Sequence, residues 1–119
     1  MEQSFGTALR KRRLEAGLTQ RDLAERTELD CTYISKIEND RLPPPAADTV
    51  VLLSRILDIP PEDLLALAGK IPSEIQQMVR SSSAAQVFLR EAQQRGMAEA
   101  EWRQLTNLLR GLKPAPDQS

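Results

Sequence analysis

The chain has 119 residues, with 16 Lys and Arg against 17 Asp and Glu and a formal net charge of −1. That length suits one small domain or a domain with an appendage, and the charge balance excludes a polybasic nucleic-acid tail and an acidic disordered tail alike. Apolar residues make up 40% of the chain but aromatic ones only 3%, so the core must be aliphatic, and a β-sandwich or barrel is disfavoured.

Helical spacing begins at once, with Phe5, Leu9 and Arg13 on one stripe and Gly17 placed to end the first helix in the left-handed region. Thr19 with Asp22 three residues later reads as a capping box for a short second helix that turns Leu23 and Ala24 inward and closes near Thr27. Asp30 caps a third helix whose inward residues are Ile34 and Ile37. Asn39-Asp40 closes it, and Leu42-Pro43-Pro44-Pro45 follows as an extended connector, because each proline pushes its predecessor out of the α region. Val50, Leu53 and Leu57 mark a fourth helix, and Pro61 opens a fifth that carries Leu64, Leu65 and Leu67 to Gly69. Three more helices are predicted near 73–80, 84–95 and 98–112. Ser83 with Gln86 offers a capping box for the middle one, and Trp102, Leu105, Leu108, Leu109 and Leu112 share one face of the last. The predicted organisation is all-α: a five-helix unit at 1–69, a helical C-terminal segment at 70–113, and a polar, proline-rich frayed tail at 114–119.

The second and third helices form the informative constellation. Two short helices joined by Glu28-Leu29 are clamped at a fixed angle by Leu23, Ala24, Leu29, Ile34 and Ile37, and Ala24 is small where the helices approach closest. The third helix then turns Cys31, Thr32, Tyr33, Ser35 and Lys36 outward. Its width matches the major groove of DNA, where base edges display distinguishable donors, acceptors and methyl groups.

On these residues the chain resembles the Cro/repressor-type (XRE-like) helix-turn-helix family. The resemblance runs from Leu9 to about Leu65 and rests on Leu9-Arg10-Lys11-Arg12-Arg13, Gly17-Leu18-Thr19-Gln20, Asp22-Leu23-Ala24 and Ile34-Ser35-Lys36-Ile37-Glu38-Asn39 taken together. It implies a five-helix repressor-type bundle that binds operator DNA, usually as a dimer. It also implies roles: Thr32, Tyr33 and Lys36 match base-reading positions, and Gln20 matches a position at a phosphate or a nearby base edge. Ser35, Asn39 and Arg41 match backbone or near-base positions. Arg13 and Glu38 match an ion pair that steadies the reading helix. The chain departs from the family at Glu28 and Asp40, where glycine is common and a side chain in the left-handed region costs about 1 kcal/mol, and at Arg12, where the family is commonly apolar. The run Arg10-Lys11-Arg12 fits a solvated face as well as phosphate contact.

Residues 1–45 hold eight basic and eight acidic side chains, so non-specific DNA affinity should be modest, and specific binding must come from two paired reading helices. Trp102, Leu105, Leu108, Leu109 and Leu112 are therefore the expected homodimer residues, because a reader needs a partner to span half-sites about 34 Å apart. Histidine is absent and Cys31 is the sole cysteine. His-based triads, His-ligated zinc sites and multi-cysteine clusters are excluded, and neither enzyme activity nor a metal or cofactor is expected. Cys31 lies in the first turn of the third helix, where a redox switch on DNA binding is one reading and a small residue that fits is the plainer one. Met1–Leu9 carries no apolar signal stretch, and no run approaches the ~18 apolar residues that span a bilayer, so a cytoplasmic, nucleoid-associated protein is expected. The expected function is a dimeric repressor acting on an inverted-repeat operator. Small regulators of this build resemble those inactivated by zinc metallopeptidases encoded alongside them, which implies such a peptidase as a regulatory partner. Two rival readings are an antitoxin whose C-terminal helices neutralise a toxin, and an interaction adaptor that has lost DNA affinity.

Overall fold

A computed structural model describes residues 3–116. The described residues form eight helices and no strand: α1 (Phe5–Glu15), α2 (Gln20–Thr27), α3 (Cys31–Glu38), α4 (Ala47–Ile56), α5 (Pro61–Ala68), α6 (Ser73–Arg80), α7 (Ser83–Arg95) and α8 (Glu99–Leu112). They divide into two compact units, Met1–Gln77 and Met78–Ser119, with the chain passing from one to the other inside α6. The all-α expectation holds. No described helix is long and apolar enough to cross a membrane.

In the N-terminal unit the local signals act as the chemistry requires. Ser4 caps α1 by accepting the Thr7 N–H at 3.1 Å. Thr19 and Asp22 cap α2 reciprocally, at 3.0 and 2.9 Å, and Asp30 caps α3 by accepting the Thr32 N–H at 2.7 Å. Glu28 and Asp40 end α2 and α3 with φ of 61° and 59°, and Asp58 (φ 55°) follows the end of α4 in the same left-handed region. A helix-terminating turn that closes a buried junction is worth more than the penalty for a non-glycine residue there. Pro61 stands at the first position of α5, where its missing N–H is harmless.

These turns fold five helices around one aliphatic core. α1 and α2 pack on α3, α5 on α1 and α4, and α4 on α2, burying Phe5, Leu9, Leu23, Ile34, Ile37, Val50, Leu53 and Leu64 almost completely. Cys31 and Tyr33 are half-buried and pack against that core. Sequence patterning gave no warning of the contact at Gly6. The N-terminus of α1 lies against the C-terminal carbonyls of α3 so closely that a β-carbon at Gly6 would collide with the Ile37 carbonyl oxygen. The same β-carbon would fall 2.7 Å from Asp40 Oδ1 and 2.9 Å from the Glu38 carbonyl.

The C-terminal unit contains α7 and α8, connected through Gly96 (φ 74°). Its cap differs from expectation: Ser82, not Ser83, is the N-cap of α7, accepting the Ala85 N–H at 3.1 Å, and Ser83 is the first helical residue. Two adjacent serines offer the same hydroxyl, and the cap falls to the one with extended backbone. Of the expected frayed tail, 114–116 carry no regular structure and 117–119 lie outside the described residues.

Gly6→Ala should cost about 1–3 kcal/mol in urea unfolding, because the obstruction is backbone and cannot rotate away. Glu28→Gly should change stability by under about 1 kcal/mol in the favourable direction, since it relieves the left-handed strain.

Candidate nucleic-acid interface

The site is built on α3, and α3 is held from below by a buried ion pair. Arg13, on the inner face of α1, is 6% exposed and Glu38, in the last turn of α3, is 5% exposed. Arg13 Nε donates to Glu38 Oε2 at 2.7 Å and Arg13 Nη2 to Oε1 at 2.9 Å, a two-point fork; Nη1 donates to the Leu18 carbonyl at 2.9 Å. The guanidinium thus ties α1, the loop before α2 and the end of α3 together. Its pKa is raised, chiefly by the hydrogen bond to Glu38, against the opposing effect of burial. Two charges out of water are tolerated only with such complete pairing.

Gln20, the first residue of α2, reaches the same carboxylate, its Nε2 donating to Glu38 Oε1 at 3.0 Å. That bond fixes the carboxamide at the α2–α3 junction, and among the described residues no donor meets its oxygen, which leaves an acceptor there. Glu38 therefore orients two partners through three hydrogen bonds from one buried position.

Above this anchor α3 presents a polar ridge. Thr32 and Lys36 are exposed and Ser35 is half-buried between them. Tyr33 is half-buried and packs against the core, so it is only partly open on the outer side of α3. Asn39 turns back, its Nδ2 donating to the Ser35 carbonyl at 2.8 Å, so that it serves the end of α3 while remaining exposed. Arg41 is exposed just beyond, its N–H donating to the Lys36 carbonyl at 2.8 Å. The structure brings Gln20, Thr32, Tyr33, Ser35, Lys36, Asn39 and Arg41 onto or beside one helix. Arg12 is half exposed and pairs with Glu15 at 3.7 Å, a solvated contact at the far end of α1.

A second clasp was not legible in the residue pattern. Ser4 Oγ donates to Asp40 Oδ2 at 3.1 Å, so the residue that closes α3 also ties it to the start of α1. Asp40 looked like a mere substitute for glycine; its carboxylate is what a glycine could not have supplied. With Gly6 below it, this contact fixes the far end of the reading helix as Arg13 fixes its underside.

Asp22, half-buried in its capping box, has its pKa lowered by the Thr19 backbone N–H and then by the Thr19 hydroxyl.

Comparison with known proteins agrees with this geometry. Residues 9–64 match the helix-turn-helix family model. An uncharacterised helix-turn-helix-type transcriptional regulator of Bacillus subtilis, RghRB, is 38% identical over 76 residues, covering 61% of this chain and 55% of its own length, so the chain spans about half of that relative. Among solved structures, the complex of the SinR protein with the SinI protein contains a chain similar in fold. It is 22% identical with a TM-score of 0.50, over 93% of this chain and 99% of the other.

Glu38→Gln should destabilise the N-terminal unit by about 3–5 kcal/mol, since it leaves Arg13 charged, buried and half paired; replacing Arg13 and Glu38 together by Met and Leu should cost much less. A urea series on the three proteins checks both. Because the folded pKa of Asp22 is lowered, its contribution to stability is fully present above its unfolded value and lost as pH falls through the folded one. The stability gap between wild type and Asp22→Ala should therefore stay constant at neutral pH and close below about pH 4.

Proposed function

The chain belongs, through residues 9–64, to the Cro/repressor-type helix-turn-helix family, and on that premise we propose a sequence-specific DNA-binding regulator of transcription, acting as a dimeric repressor on an inverted-repeat operator. One observation carries the reading: α3 stands with Thr32 and Lys36 exposed above a fully paired, buried Arg13–Glu38 anchor. A helix held so firmly and left polar on its outer side is suited to enter a major groove and discriminate base edges. In that arrangement Lys36, Thr32 and the open part of Tyr33 meet bases. Gln20, with its amide tethered, Ser35, Asn39 and Arg41 lie at the groove's rim, where backbone contacts set register without carrying sequence information. The relative in Bacillus subtilis, named as a transcriptional regulator, supports this assignment.

The balanced charge of residues 1–45 gives one N-terminal unit little electrostatic hold on a phosphate backbone. Two units presented together would gain from effective concentration what each lacks in charge. The C-terminal unit is the proposed means of pairing, through Trp102, Leu105, Leu108, Leu109 and Leu112. Repression would then be steric, a paired molecule covering a promoter, and no catalytic step or cofactor enters it.

Selection of bound fragments from a random DNA pool tests the reading, with an inverted repeat as the expected result and no enrichment as the result that overturns it. On the selected site Lys36→Ala should lose about 1–3 kcal/mol and relax preference at one position of each half-site. Arg41→Ala should weaken all sequences alike and reduce the dependence of affinity on salt. A chain that sediments as a monomer and travels with a second small protein in fixed ratio would favour the antitoxin reading instead.

A further inference from the structure

The C-terminal unit lacks a core. Of its described residues only Ala92 is buried, while Phe88 and Trp102 remain 50% and 37% exposed and Leu112 is 85% exposed. Two helices with so little buried between them fall well short of what a chain segment needs to hold its own fold, and small units of this kind take their core from an association. Along α8 the apolar residues Trp102, Leu105, Leu109 and Leu112 are spaced by three and four, the repeat of a helix that pairs with another helix. With Phe88 of α7 they line an open groove of about 610 Å³.

The net charge of α8 changes sign along its length: Glu99, Glu101 and Arg103 leave its first half acidic, and Arg110 leaves its second half basic. Glu99 and Glu101 lie in the first turn, Arg110 in the last, and Lys113 immediately after it. Among the described residues Glu99, Arg110 and Lys113 enter no ion pair.

We propose that α8 pairs in antiparallel orientation with α8 of a second copy of this chain. The inference rests on the homodimer reading above and specifies its geometry. Turning one α8 against the other about a point near residue 107 lays Trp102 opposite the second copy's Leu112 and Leu105 opposite the second copy's Leu109. Each of these four apolar residues then has a partner. The same register brings the acidic first turn of each helix against the basic last turn of the other, Glu99 beside the second copy's Lys113. A parallel pairing would set Glu99 and Glu101 against their own equivalents, and Arg110 and Lys113 likewise, so like charges would meet at both ends. Charge placement therefore selects both the occupant and its direction. An unrelated helix fits the apolar groove equally well, but this charge order makes α8 complementary to itself when reversed.

Cross-linking of the full chain tests the orientation. In a Cys31→Ser background, which removes the sole native thiol, Glu99→Cys and Lys113→Cys proteins are prepared separately, mixed, allowed to exchange subunits and mildly oxidised. Disulfide-linked dimers are expected from the mixture and from neither protein alone. Thr106→Cys, close to the pivot, should link to itself. Independently, Glu99→Lys with Glu101→Lys should weaken self-association about tenfold by sedimentation, as expected when two surface pairs turn repulsive. Adding Arg110→Glu and Lys113→Glu to that same chain should restore it. Self-linking of Glu99→Cys overturns the antiparallel arrangement. A dimer that no α8 cysteine captures overturns pairing through α8 while the dimeric regulator stands, and a chain monomeric at every concentration sinks both.

Discussion

A buried carboxylate that accepts three hydrogen bonds from two partners organises this molecule. Glu38 belongs to α3, yet its oxygens take the Arg13 fork from α1 and the Gln20 amide from α2. Three helices too short to be stable in isolation are thereby registered to one another by directional bonds, where apolar packing alone would allow them to slide. The arrangement has a cost in desolvation, and a hydrophobic trio of similar volume could match it in stability. What the ion pair supplies is position. Its strongest bonds lie beneath α3, and in the proposed function a shift of about 1 Å there would misplace every base contact.

The five-helix unit was legible because its signals are local and redundant. Thr19 with Asp22, Asp30 and Pro61 each announce a helix start by a mechanism confined to a few residues, and the inward positions repeat at helical spacing between them. Even the left-handed turns at Glu28 and Asp40 could be placed, from the family resemblance, despite the absence of glycine. The contact between Gly6 and the end of α3, and the Ser4–Asp40 bond beside it, could not be placed. They join residues far apart in the chain through backbone atoms, and no periodicity records which carbonyl a helix start will meet. Tyr33 shows the same limit from the other side. Its position on the outer arc of α3 suggests a free ring, whereas the side chain packs against the aliphatic core, a matter of side-chain direction that spacing does not specify.

The two units differ in what holds them. In the N-terminal one nearly every large aliphatic side chain that the pattern turns inward is fully covered. In the C-terminal one the pattern is just as regular, and the apolar stripe of α8 is correctly continuous, but the residues it aligns stay in water. Amphipathic spacing reports that a face will be covered; it does not report by which molecule. Ser82 and Ser83 make the related point at a smaller scale, since two equivalent cap acceptors in sequence are distinguished only by backbone conformation.

These two halves of the chain complement each other energetically. Under the proposed function, a reading unit with balanced charge would bind weakly as a monomer and a helix pair without a core would associate; together they would tie DNA affinity to protein concentration. Below the concentration at which the proposed pairing sets in, a single reading helix would have neither the electrostatic hold nor the second half-site to remain bound. Above it, both arrive at once. A strongly basic reading unit would blur that threshold by clinging to any duplex as a monomer. The balanced charge of residues 1–45 is thus consistent with regulation through association, since little residual affinity would survive when the proposed pair comes apart.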